Sequence, residues 1–337
     1  MEALWFALWG LLWAIYFMLD GFDLGVGMLL PFLGRDETAR RAMLRSIGPF
    51  WDGNEVWLIT AGGVTFAAFP TTYAVMFSSL YAPLLLILFG LIFRGVAMEF
   101  RRHGETAAWK SLWDTCAFLG STLPALLLGV AFANIFQGIP LDAEHIFHGT
   151  ILTLLNPYGL LGGALFVLLF LVHGANWLAA RTGGDLQKSA GKAAAGLWPP
   201  LTLAAVAFLV ATWFSTKLYD NYLARKALFL VPLVTVAALL LTRAFQARQA
   251  WWKAWAASAV TIFGATAFGV IGLFPNLLPS SINTKFSLTA YNSSSSPMTL
   301  KIMLIVALIF IPLILVYQIW AYLLFKNPVT SEDLNEY

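Results

Sequence analysis

The chain has 337 residues, of which 60% are hydrophobic and only 11% charged, and its mean hydropathy is +0.77. That composition excludes an ordinary soluble domain and leaves an all-α integral membrane protein, in which the placement of charge reports orientation better than the net +3 reports partners. A single cysteine, Cys116, excludes an internal disulfide and any cysteine-based metal cage.

A bilayer core about 30 Å thick takes roughly 20 residues of α-helix. Nine apolar runs approach that length: 4–30, 54–69, 72–100, 112–136, 157–180, 193–216, 227–243, 255–274 and 300–325, the second and seventh being short. No basic leading region precedes the first run, which is too long for a signal core, so it is expected to stay in the mature protein. With the N-terminus outside, fourteen of the twenty Lys and Arg residues fall in cytoplasmic segments and five (Lys217, Arg225, Lys226, Lys285 and Lys301) on the outer face, as the positive-inside rule requires. An odd number of spans then puts the C-terminus in the cytoplasm. The loop 217–226 is the exception, basic yet outside.

The first run ends in MLDGFDLGVG (18–27), which carries Asp20 and Asp23 one helical turn apart, beside Gly21, Gly25 and Gly27. A carboxylate at mid-membrane costs about 2.5–3.5 kcal/mol, so both are expected to face protein or water, and the glycines offer a small-residue surface for close helix packing. The second run opens with PFWDGNEVWL (49–58). Asp52 or Asn54 there suits a helix cap, while Asp52 and Glu55, flanked by Trp51 and Trp57 at the inner boundary, suit the mouth of a proton path. The third run contains Arg94, whose depth matches that of Asp23, and an Asp23–Arg94 ion pair is expected.

The outer loops 137–156 and 275–297 are long but do not read as domains. In the fifth run LVHGANWLA (171–179) echoes MLDGFDLGV (18–26), which suggests two four-helix units, 1–136 and 157–274, followed by one extra helix, 300–325. Of the four histidines only His173 lies within a span. It has no partner at matching depth, and no haem or metal ligation is expected from any of them. Trp251, Trp252 and Trp255 read as an interfacial belt. Intramembrane carboxylates, Arg94 and the faint repeat also allow a secondary transporter, although paired Gly/Pro-interrupted spans at the midplane are missing from the pattern.

The segments LDGFDLGVGML (19–29), GRDETARRAMLRSIGPFWDGNEVWLITAGG (34–63), FAAFP (66–70), IFRG (92–95) and NPYGLLGG (156–163) resemble subunit II of the bacterial cytochrome bd quinol oxidases. The resemblance implies a complex of the cytoplasmic membrane that oxidises quinol and reduces dioxygen to water. It implies two b-type haems and one d-type haem held by a partner subunit I, with no haem on this chain and no activity of this chain alone. Asp52 occupies the family position associated with bringing cytoplasmic protons towards the oxygen-reducing haem; Asp20, Asp23 and Arg94 match intramembrane polar positions. The family also leaves room for a structural quinone and for a small single-helix subunit.

Overall fold

In lipid the backbone must satisfy its own hydrogen bonds, and the computed structural model, which describes residues 1–329, is built almost entirely of helices. In chain order they are α1 (Glu2–Leu33), α2 (Glu37–Ile47), α3 (Trp51–Ala68), α4 (Pro70–Ser79), α5 (Tyr81–Phe100), α6 (Ala107–Gln137), α7 (Ile151–Leu154), α8 (Pro157–Arg181), α9 (Gly184–Ser215), α10 (Tyr219–Ala224), α11 (Leu230–Ala247), α12 (Trp251–Leu273) and α13 (Pro297–Leu324). Among the described residues eight helical segments are long and apolar enough to cross a membrane. The segment expected as the second span, α3, is not one of them: it has 18 residues, and its polar opening WDGNE and the pair Gly62–Gly63 dilute its apolarity.

Hydrogen bonds fix the course of α3. Its Asn54 meets Asp23 near one end of α1, and its Thr65 accepts from the indole of Trp9 near the other, so α3 runs antiparallel to α1 through the same layer. The third expected span is divided into α4 and α5. Pro83 has no N–H to return to the carbonyl of Ser79, and the helix restarts at Tyr81.

Long, buried α1 packs against α3, α6, α8 and α12. One arrangement recurs: α1 contacts α3 and α6, with α5 on α6, while α8 contacts α9 and α12, with α11 on α12. The two sets meet where α1 crosses α8, and a Cβ on Gly25 would overlap the Phe170 carbonyl. A Cβ on Gly174 would run into the backbone of Gly25, and one on Gly27 into Ser121. This close crossing sets the rotation of α1 about its own axis. The outer loops close on each other: Ile139 bridges Ser280, β1 (Asn276–Leu278) pairs with β2 (Leu288–Thr289), and Ser295 N–H reaches the Ala68 carbonyl. By contrast α13 lies on the outside, with Leu300 its one buried residue.

At the opposite end α2 is capped by Asp36, which accepts from Ala39 N–H at 2.8 Å. Arg101 then joins α2 to α6, bonding Asp114 at 2.5 Å and Glu37 at 3.0 Å, and Arg40 adds a 2.8 Å bond to Asp114. The Arg101 guanidinium holds the Glu37 carboxyl at about 2, well below the usual carboxylate range.

Candidate functional site

The exposed residues of α3, Asp52, Gly53, Val56, Ile59, Gly63 and Phe66, repeat at helical spacing and form one outward face. Asn54, Trp57, Ala61 and Thr65 form the buried face. Asp52 makes no hydrogen bond or ion pair among the described residues, and Glu55, one turn along, turns inward from the edge of the outward face. Its Oε2 lies 2.9 Å from Nη2 of Arg94, whose Nη1 lies 2.7 Å from Oδ1 of Asp20. The side chains of Arg94 and Asp20 are 2% and 0% exposed, and that of Glu55 keeps 23%. Asp52, Glu55, Arg94 and Asp20 therefore form a graded series from the surface into the bundle. A guanidinium at this depth is tolerable because two carboxylates compensate it at charge-assisted hydrogen-bond distance.

Asn54 is the hub of the adjoining contacts. Its Nδ2 donates to Asp23 Oδ2 at 2.7 Å and to the Leu19 carbonyl at 3.3 Å, while its Oδ1 accepts from Tyr322 at 3.0 Å and Gln318 at 3.2 Å. Two acceptors on one side and two donors on the other settle the orientation of the amide. Trp57 Nε1 donates to Gln318 Oε1 at 3.0 Å, so the outlying α13 is tied to α3 by polar contacts. Asp20 Oδ2, Asp23 Oδ1, Arg94 Nε and the Tyr16 hydroxyl are buried beside this cluster without a protein partner among the described residues.

Two expectations are corrected. Arg94 pairs with Asp20 and Glu55, not with Asp23, which accepts instead from the neutral amide of Asn54. Depth counted from loop ends is good to a few residues, and the two aspartates differ by a single turn. The cap expected of Asp52 or Asn54 is also absent. Helix α3 begins at Trp51 after the N-cap Phe50, with no side-chain cap, so that Asn54 already lies inside the helix and points at α1.

The second polar group surrounds His173 on α8. Its Nε2 lies 3.0 Å from the Met18 carbonyl and its Nδ1 2.7 Å from the hydroxyl of Ser258, which is also 2.8 Å from the Trp255 carbonyl. Asn176 bonds Ser258 at 3.3 Å and accepts from Gln246 at 3.0 Å. Trp255 lies parallel to the imidazole, with ring centroids 5.6 Å apart. With both ring nitrogens engaged, His173 is not disposed to ligate a haem. His148 is exposed and bonded to Asp142 at 2.6 Å, and the described residues hold no group of three metal-binding side chains.

Gln318 and Tyr322 escaped the sequence reading. The available signal was Gln318, the one amide in the last apolar run.

A family model described as cytochrome bd terminal oxidase subunit II matches residues 1–325. The chain is 37% identical over 334 residues to cytochrome bd ubiquinol oxidase subunit 2 of Bacillus subtilis (strain 168), covering 98% of this chain and 97% of that protein. It is also 37% identical over 366 residues to cytochrome bd-I ubiquinol oxidase subunit 2 of Escherichia coli (strain K12), covering 98% and 96%. Its fold is similar to a chain of the bd oxidase from Geobacillus thermodenitrificans, with a TM-score of 0.72 and 18% identity over 96% of this chain and 94% of that one.

Proposed function

The chain belongs to the cytochrome bd terminal oxidase subunit II family, and from that membership we propose that it is the non-haem-ligating subunit of a quinol oxidase and leads cytoplasmic protons to its partner. As a member of that family it is a multi-pass protein of the bacterial inner membrane. It works beside a subunit I in a haem-containing oxidoreductase complex. The transporter alternative has no support beyond the features this family already accounts for.

One observation carries the proton-inlet reading: the outward face of α3 opens on Asp52, and the carboxylates Glu55 and Asp20 continue inward from it. A carboxylate facing lipid is costly, whereas one covered by a partner subunit can take protons from water and pass them on. This face is therefore where subunit I packs. Arg94 cannot release its proton, so its part is to hold Glu55 and Asp20 in place and offset their charge. Asp23 has no cation, and a proton there breaks no ion pair. The partnerless oxygens of Asp20 and Asp23 are points at which ordered water can join the series.

The chain passes the membrane nine times, counting α3, with the N-terminus outside; residues 330–337 lie outside the described residues. Quinol oxidation and dioxygen reduction take place on the partner, which holds two b-type haems and one d-type haem, and this chain is inactive alone. Drawing protons for water from the cytoplasm separates charge without a pump. No described group of residues singles out a structural quinone or a small single-helix subunit.

The test is the purified complex carrying Asp52→Asn. The reading expects a normal reduced-minus-oxidised haem spectrum with quinol-dependent oxygen uptake lowered about tenfold, or ~1.4 kcal/mol on the barrier. Undiminished uptake by the assembled variant overturns it.

A further inference from the structure

A groove of about 720 Å³ runs between the first half of α1 and the last half of α12, beside the segment that follows α10. Ala7, Gly10 and Ala14 line it from α1, and Phe263, Ala267 and Ile271 from α12. Its walls, 3–14 on α1 and 263–274 on α12, each measure about 17 Å at 1.5 Å per residue, roughly half of a 30 Å hydrocarbon core. The groove is thus one leaflet deep. That suits an acyl chain and is too short for a crossing helix. No carboxylate lines it, and its rim carries Arg225, which is exposed, forms no ion pair among the described residues and is followed by exposed Lys226.

We propose that this groove binds one anionic phospholipid of the outer leaflet, with an acyl chain along Ala3, Ala7 and Leu11 of α1 and the phosphate on Arg225. Lys226 adds a second positive charge. The site gives a reason for the basic loop 217–226 on a face where basic residues are disfavoured, because lipid phosphates, not the cytoplasm, offset its charge. Assignment to the outer leaflet rests on the topology proposed above. The match of an apolar, leaflet-deep groove to a cationic rim does not.

The experiment uses the whole complex, depleted of lipid in dodecyl maltoside and titrated separately with phosphatidylglycerol and phosphatidylethanolamine, with bound lipid read by native mass spectrometry. The wild type is expected to hold one phosphatidylglycerol in preference to phosphatidylethanolamine. Arg225→Gln with Lys226→Gln lowers that affinity about thirtyfold, roughly fivefold for each charge, while Ala7→Leu, which fills the groove, weakens both lipids. Equal binding of the two lipids by the wild type, or unchanged phosphatidylglycerol binding by the double variant, overturns the proposal, and so does a peptide in place of lipid. Oxygen uptake and the haem spectrum, recorded in parallel, report on the oxidase reading separately, since neither substitution touches the α3 series.

Discussion

Two polar groups lie inside this bundle at corresponding places in the echoed segments, and they are built on opposite principles. Asp20 and Asp23 stand where His173 and Asn176 stand in the second segment, on either side of Gly21 and Gly174. The first group is ionic, spread over α1, α3 and α5, and reaches the surface at Asp52. The second is formally neutral, closed on itself by Ser258, Gln246 and the Met18 carbonyl, and buried throughout. Both hold helices together. Only the first combines charge with a way out, which is the combination the proposed proton inlet requires.

Breaking the ionic group should have the largest effect. Arg94→Met strands two carboxylates, at a cost of about 3–5 kcal/mol, and no haem-bearing complex should accumulate in the membrane. Asp20→Asn together with Arg94→Gln should recover part of the assembled complex, as read from the haem spectrum; a double variant no better than the single one would show that charge balance is not the reason.

Asn54 and Asn176 give the sharper comparison. Asn54→Ala removes the donor to Asp23 and the acceptor for Tyr322, which should cost about 1–3 kcal/mol and lower quinol-dependent oxygen uptake as well. Asn176→Ala should lower the Tm of the complex by a similar amount and leave turnover alone. Equal losses of turnover would erase the distinction between the two groups.

His173→Phe keeps a ring in the space beside Trp255 but gives up two hydrogen bonds, at about 1–2 kcal/mol, with turnover unchanged. A change in the haem spectrum would contradict the purely structural role.

The smallest effect is expected at Glu37, on the rim of the protein. Its carboxyl is held low, at about 2 in the folded chain, so its ionic contribution is present above the unfolded value of about 4.3 and is lost as pH falls through about 2. Above pH 5 the complex carrying Glu37→Gln should show a slightly lower Tm than the wild type. The difference should vanish on acidification across that window, which thermal melts at a series of pH values would check.

Much of this was legible in the chain. The length and spacing of apolar runs follow from bilayer thickness, so the helical membrane class needed no coordinates. Asp20, Asp23, Asp52, Glu55 and Arg94 stood out because charge inside a greasy run has few explanations. Tertiary structure alone decided who meets whom. The rotation of α1, set by its close crossing with α8 at Gly25 and Gly174, turns Asp20 towards Arg94 and Asp23 towards Asn54, and no count along a sequence resolves one helical turn. The contacts of Gln318 and Tyr322 with a residue more than 260 positions earlier, at Asn54, depend on where the last helix comes to rest. That position is set by contacts with residues distant in the chain, chiefly on α3, and by no local pattern.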